Sequence, residues 1–96
     1  MLLTGILQIE LHLPAAQSLK QKRSVIKSLK DKLRSRYNVS VSEFDYLDKW
    51  QHASIAVAML STDRSHLDSR FQSISRFIED EVIGHAYIMK SELTIL

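Results

Sequence analysis

The chain has 96 residues, of which 45% are hydrophobic, and carries two glycines, one proline and a formal net charge of +2. This composition is typical of an ordered globular protein, and the sequence predicts a single domain over residues 1–96. Because cysteine is absent, disulfides and thiolate chemistry are excluded. No stretch approaches the roughly 20 apolar residues of a membrane span, and the first strand lacks the features of a signal peptide. We therefore expect a soluble, cytoplasmic protein that does not contact a membrane.

The first predicted element is a strand that ends at Pro14. Hydrophobic residues recur at every second position over residues 3–13, which is the period of a strand with one buried face. Ser18 and Gln21 then have the spacing of a capping box, so a helix is predicted from there to Asn38. The apolar positions of this helix are Leu19, Ile26, Leu29, Leu33 and Tyr37.

Two further strands follow this helix. The segment Val39–Asp45 loses its alternation between Val41 and Phe44, which indicates a bulge or an early strand end. Residues 45–51 are polar around a single tryptophan and are predicted to form a connection. A third strand rich in Ala, Val and Ile is predicted over Ala53–Leu60.

A second helix and a last strand complete the pattern. Asp63 is the predicted N-cap of the helix, whose apolar positions are Leu67, Phe71, Ile74 and Ile78. Gly84 interrupts the chain after it. A final strand is predicted from the alternation of Tyr87, Met89, Leu93 and Ile95.

The element order βαββαβ predicts an α+β fold, a ferredoxin-like two-layer sandwich. Right-handed crossovers place both helices on one face of an antiparallel sheet with strand order 4-1-3-2. The other face of the sheet is open, half apolar and rich in small residues. It is either a mixed, solvent-exposed surface or the interface of a homodimer. In the second case the dimer face contains Ile6, Ala56, Ala58 and Ile88.

Positive charge is concentrated on the first predicted helix. Residues 18–36 carry eight Lys or Arg and one acid, Asp31, whereas the other 77 residues carry five basic and ten acidic side chains. The cations at 3-4-3-4 spacing form one stripe along about 20 Å of helix, comparable to several phosphates of a nucleic acid. A solvated face is the alternative, but such faces usually mix charge signs. The expected polyanion-binding residues are Lys20, Arg23, Lys27, Lys30 and Arg34.

Lys22 falls within the apolar arc of the same helix, where two interpretations are open. Its stem packs while its ammonium reaches solvent, which we favour, or it forms an ion pair with Glu43 or Asp48. In the second case Lys22 or Arg23 fixes the loop so that Trp50 takes one position beside the basic helix. Trp50 itself either stacks on a base or caps the sheet edge as part of the core, and for a lone tryptophan we favour the core.

Catalysis and metal binding have weak support in the sequence. Residues 43–52 gather three acids, Trp50 and a histidine, but without the spacing of metal ligands, so no metal and no cofactor is expected. The other histidines are scattered: His12, His66 and His85. The PAAQS loop before the first helix lacks the Gly and Arg of an acylphosphatase-type phosphate loop. It also lacks the Gly-containing turn of an ACT-type regulatory domain, so no small-molecule substrate is expected.

Four segments carry a resemblance to a known family: the strand ending in Pro14, SLKQKRSV at 18–25, NVSVSE at 38–43 and D-x-W-Q at 48–51. They resemble the YlxP-like family of small bacterial proteins, whose function is unknown, over nearly the whole chain. The resemblance implies a ferredoxin-like fold. Because genes of this family tend to lie near those of translation and ribosome-maturation factors, it also implies a role around the ribosome or its RNA. It brings no catalytic residues.

Two functions remain open. The first is a non-enzymatic protein that binds ribosomal or other structured RNA through its basic helix. Its contacts would be with the RNA backbone, because the third strand HASIAVAML has no aromatic residue on which bases could stack. The second is a homodimeric interaction or adaptor module that uses the open sheet face, with the basic helix facing a protein or another anionic surface.

Overall fold

All six predicted elements are present in the computed structural model, which describes residues 1–96. In chain order they are β1 (Leu3–His12), α1 (Leu19–Arg36), β2 (Ser40–Asp45), β3 (His52–Ser61), α2 (Arg64–Glu81) and β4 (Tyr87–Ile95).

Both helices begin at the predicted N-caps. The Ser18 hydroxyl accepts a hydrogen bond from the backbone N–H of Gln21 at 3.1 Å, and the Asp63 carboxylate accepts one from the N–H of His66 at 3.3 Å. Each cap satisfies a backbone donor that the first turn of a helix leaves without a partner. The first helix ends slightly earlier than predicted, because Tyr37 already has an extended backbone.

The four strands form one antiparallel sheet in the order β2-β3-β1-β4. Read from the other edge this is 4-1-3-2, so the predicted topology is confirmed. The central strand β1 pairs with β3 along its whole length, from Leu3 opposite Ser61 to His12 opposite His52. In β2 the register against β3 shifts between Glu43 and Asp45, which confirms the bulge that the lost alternation indicated.

The core lies between the sheet and the two helices. It contains 18 buried apolar residues, and each fully buried aliphatic or aromatic side chain contributes roughly 1.5–3 kcal/mol. The ring of Phe71 from α2 lies directly over Gly5 of β1, where a Cβ atom would overlap with it. One polar contact joins the C-cap of α1 to the middle of α2, since the Tyr37 hydroxyl lies 2.9 Å from that of Ser73.

A second bulge lies in β4 and changes which side chains of this strand point toward the core. The register against β1 shifts between Lys90 and Ile88, and Ile88 turns inward and packs against the core. Tyr87 instead pairs with His12 and lies on the open face. The assignment of Ile88 to a dimer face is therefore wrong. That assignment requires strict alternation, and a bulge inserts one extra residue.

Candidate nucleic-acid interface

The basic stripe of α1 faces away from the core. Ile26, Leu29 and Leu33 are buried against the sheet, so the arc about 100° away around the helix is turned toward solvent. Four of the five stripe residues are exposed and Lys30 is half-buried. The packing of the apolar arc thus determines where the positive charge points.

Contacts within the chain engage two of the five stripe cations. Lys27 Nζ lies 2.7 Å from Asp31 Oδ2, and Arg34 Nη2 donates a hydrogen bond of 2.8 Å to the carbonyl of Val41 at the sheet edge. Arg34 therefore has a structural role in addition to its charge. The stripe cations that make none of the ion pairs in the chain are Lys20, Arg23 and Lys30.

The single acid of this helix does not neutralise its surroundings. The hydrogen bond from Lys27 lowers the pKa of Asp31, and the nearby charges of Lys27, Arg34 and Lys30 act in the same direction. A carboxyl whose pKa is lowered by its neighbours reports a positive local potential. The surroundings of Asp31 on the outer face of α1 are therefore positively charged.

Lys22 is buried completely, with 0% of its surface exposed. Its Nζ lies 3.0 Å from Glu43 Oε2 and donates to the carbonyls of Tyr46 at 2.7 Å and His52 at 3.1 Å. Two of the ammonium group's donors therefore have carbonyl acceptors, and the Glu43 carboxylate supplies the opposite charge. The predicted pair with Glu43 is confirmed, and the interpretation in which Lys22 reaches solvent is wrong, because the chain after β2 folds over its end. Asp48 takes no part in this site.

The buried ammonium holds the loop after β2 in a strained conformation. Tyr46 has a φ of +58°, in the left-handed region that costs a bulky residue roughly 1–3 kcal/mol. Its carbonyl is fixed by Lys22. At the other end of the loop, Gln51 Nε2 donates to the carbonyls of Pro14 at 3.1 Å and Ala16 at 3.2 Å. The loop is thus tied both to α1 and to the connection that precedes it.

Trp50 projects from this loop and is 53% exposed. Together with Tyr46, Lys49 and His52, it lines an open groove. The expectation that this tryptophan belongs to the core is wrong, because polar contacts of Lys22 and Gln51 order the loop without it.

A row of rings crosses one end of the open sheet face. His12 lies between His52 and Tyr87, at ring-centroid distances of 5.7 Å and 5.2 Å, and the Tyr46 ring is 4.7 Å from that of His52. The sequence grouped His12 only with His66 and His85 and did not predict its contacts with His52 and Tyr87. A usable signal is present in the sequence, because the last residue of β1 and the first residues of β3 and β4 must meet in this topology.

Carboxylates surround this row of rings. Glu10 Oε1 lies 3.8 Å from His52 Nε2, and a hydrogen bond with Glu10 raises the pKa of the Tyr46 phenol. A cavity of about 190 Å³ beside them is also lined by Asp45, Glu92 and Lys90. The excess of acids makes the open face unfavourable for phosphates, in contrast to the outer face of α1.

Two structural tests bear on other classes of function. No group of three or more His, Asp or Glu side chains is arranged so that it could hold a metal ion. Neither α1 nor α2 is long and apolar enough to cross a lipid bilayer.

Comparisons with known proteins agree with the fold and the resemblance. The chain is similar to the designed protein Foldit4 (TM-score 0.56, 14% identity, 100% of this chain and 97% of that chain). It is also similar to the putative chlorite dismutase TA0507 (TM-score 0.63, 6% identity, 97% of this chain and 43% of that chain). At such identities the similarity concerns the fold alone.

Similarity in sequence identifies the family of the chain. The chain is 35% identical to the uncharacterized protein YlxP of Bacillus subtilis (strain 168) over 75 residues, which cover 78% of this chain and 82% of that protein. Residues 4–92 match the family described as "Protein of unknown function (DUF503)". The chain therefore belongs to the DUF503 family, whose function is unknown.

Proposed function

We propose that this protein is a non-enzymatic, ribosome-associated protein that binds structured RNA through the outer face of α1. The observation that carries the proposal is the set of stripe cations without an ion pair in the chain, Lys20, Arg23 and Lys30. Holding like charges together on one helix is unfavourable unless an external anion neutralises them. The acidic open face supports the same orientation, because it leaves the helix layer as the side that attracts a polyanion.

The binding mode follows from the chemistry of the stripe. Lysine and arginine side chains on a straight helix reach phosphates along a groove, and they carry no base-reading pattern of their own. We therefore expect recognition of shape and backbone with a marked dependence on salt. Each neutralised phosphate contributes roughly 0.7–0.9 to the slope of log K against log salt.

A triple substitution tests this mode. Lys20→Gln, Arg23→Gln and Lys30→Gln together should flatten the salt slope by about 2 units, measured by fluorescence anisotropy with a structured RNA. The matched control is Lys49→Gln, Arg64→Gln and Arg76→Gln, which removes the same charge elsewhere and should leave the slope nearly unchanged. Circular dichroism verifies that α1 is intact. Equal effects of the two triple variants would contradict binding through the stripe.

The ribosomal part of the proposal needs a separate test. Native lysate containing the tagged protein is sedimented through sucrose gradients at low and high salt. Co-migration with a ribosomal subunit at low salt, reduced in the stripe variant and retained in the control variant, supports ribosome association. Migration as a free small species at both salt concentrations would contradict it, even if the purified protein binds RNA.

A further inference from the structure

We propose that two copies of this chain associate through the edge strand β4, forming a continuous eight-stranded antiparallel sheet across a two-fold axis at Ser91. The partner is thus a second copy of the same chain. This surface differs from the open sheet face that the sequence pattern indicated, and the inference does not depend on RNA binding.

The strand β4 is an uncovered edge. It lies at the end of the sheet order, and the main contacts of the helices are with β1, β2 and β3. Apolar side chains on it remain accessible, since Met89 is 50% and Leu93 is 39% exposed. A long edge strand with apolar side chains and unpaired backbone groups is a template for pairing with another chain.

The opposite edge of the sheet is protected. The strand β2 has six residues and a bulge near its end, whereas β4 has nine residues. In addition, Arg34 from α1 donates its hydrogen bond to the carbonyl of Val41 on β2. A short, bulged strand whose backbone acceptor is occupied is a poor template. The two edges therefore differ in their accessibility for strand pairing, and only β4 is suited to pair with a second copy.

The register of such a pair follows from the strand's own sequence. Ser91 is the midpoint of Tyr87–Ile95, so centring the axis there opposes residues 89–93 of the two copies, and the bulge interrupts the pairing beyond them. Lys90 then lies opposite Glu92 of the second copy, and this ion pair occurs twice by symmetry. Both side chains lie on the open face, because their β1 neighbours are Glu10 and Gln8. Opposite charges in direct cross-strand contact are stabilising.

Neighbouring registers are disfavoured. Residues opposite each other in an antiparallel pair must lie on the same face of the sheet. The two-fold axis must therefore pass beside a residue, and the nearest alternatives to Ser91 are the adjacent residues. Moving it to Lys90 places two lysines opposite each other, and moving it to Glu92 places two glutamates together. The central register also sets Met89 opposite Leu93, where apolar side chains that are exposed in one copy become covered. The bulge at Met89 lies outside the three central pairs.

The open face is a weaker candidate for the same partner. Its apolar residues Ile6, Ala56 and Ala58 are already half-buried. Packing a second copy over them would also bury the carboxylates of Glu10 and Glu92, and desolvating charges without partners is costly. Edge pairing leaves both carboxylates at the periphery of the interface.

Charge reversal tests the register. Sedimentation equilibrium should show a dimer for the unaltered chain, and Lys90→Glu or Glu92→Lys alone should raise its dissociation constant at least about tenfold. Mixing the two single variants should restore association, because each then supplies the charge that the other needs. Since Lys90→Glu places a second carboxylate beside Glu10 within the chain, circular dichroism melts establish that each variant is folded. Failure of the mixture to associate would overturn the proposed register.

Cross-linking provides a second, independent measurement. The chain has no cysteine, and directly opposed Cα atoms of an antiparallel pair lie about 4.5–5.5 Å apart, within disulfide range. Ser91→Cys should therefore oxidise to a covalent dimer, whereas the control Ser42→Cys on the opposite edge should not. A monomeric unaltered chain at high concentration, or equal cross-linking of the two variants, would overturn the proposal. Dissociation by Ala56→Glu but not by the charge reversals would assign the interface to the open face instead.

Discussion

Position around one helix determines what each lysine does. Lys22 lies on the apolar arc of α1 and is buried with Glu43 and two backbone carbonyls, whereas Lys27, on the outer arc, is exposed and pairs with Asp31. A buried charge is tolerated only when its hydrogen-bonding capacity is satisfied. The first residue thus fixes the position of the loop, and the second belongs to the basic stripe for which we propose RNA binding.

A double-mutant cycle distinguishes the two kinds of pair. Lys22→Met should reduce the free energy of unfolding by about 3–5 kcal/mol, because Glu43 is left buried without its partner. Combined with Glu43→Gln, urea denaturation should give a coupling energy above about 1 kcal/mol. The matched control is the exposed pair Lys27→Met and Asp31→Asn, whose coupling should be below about 1 kcal/mol. Coupling near zero for the first pair would mean that Lys22 does not fasten the loop.

Tyr46, whose carbonyl accepts a hydrogen bond from Lys22, should make the stability of the protein depend on pH in the alkaline range. The hydrogen bond with Glu10 and its charge raise the pKa of Tyr46 above the ordinary 10.0, so the folded state favours the protonated phenol. The resulting stability is complete below pH 10.0 and is lost as the pH rises through the raised value. Glu10→Gln should move the latest-titrating tyrosinate absorbance toward the ordinary pH. The signal is assigned with Tyr46→Phe, and an unchanged late step in Glu10→Gln would contradict the contact.

At the scale of elements, α2 packs closely against β1 because Gly5 has no side chain. The ring of Phe71 occupies the space where Gly5 would carry a Cβ atom. Glycine weakens a strand interior, and its presence there is explained by such close approach of another element. The close approach of α2 to β1 at this point therefore depends on the lack of a side chain at Gly5.

Gly5→Ala should therefore destabilise the protein by about 1–3 kcal/mol through overpacking, measured by urea denaturation. In a Phe71→Leu background the added cost should largely disappear, because the obstructing ring is gone. Gly84→Ala serves as a comparison: Gly84 has a φ of +87°, and no other atom lies within 4 Å of the position that a Cβ atom would take there. Its cost, about 1–2 kcal/mol from backbone strain, should be the same in both backgrounds. An equal cost of Gly5→Ala in both backgrounds would argue against the close approach.

At the scale of the whole molecule, the two layers differ in charge. The outer face of α1 is basic, while one end of the open sheet face gathers Glu10, Asp45 and Glu92. In the proposed edge-paired dimer both helix layers would lie on the same side of the extended sheet. The two α1 helices pack over the outermost strands, so seven strand spacings would separate them by about 34 Å. A long polyanion could then contact both helices at once, and simultaneous contact increases the apparent affinity.

The sequence by itself determined the six elements, both N-caps and the basic stripe, and it narrowed the irregularity in β2 to a bulge or an early strand end. The element order together with right-handed crossovers determined the strand order. The elements, caps and stripe depend on local information: a hydrophobic period, a capping side chain, a break in alternation or a helical spacing. Short-range sterics and backbone hydrogen bonding express such signals within a few residues. For this reason the architecture could be predicted without knowing any long-range contact.

Only the tertiary structure decided which partner Lys22 takes, that Trp50 is exposed and that Ile88 faces inward. It also brought His12, His52 and Tyr87 into one row across three strands. These features depend on register between segments distant in the chain, and a single bulge turns a side chain to the other face of the sheet. A loop ordered by a buried ammonium leaves no periodic signal in its own residues, because its order comes from contacts made by another element.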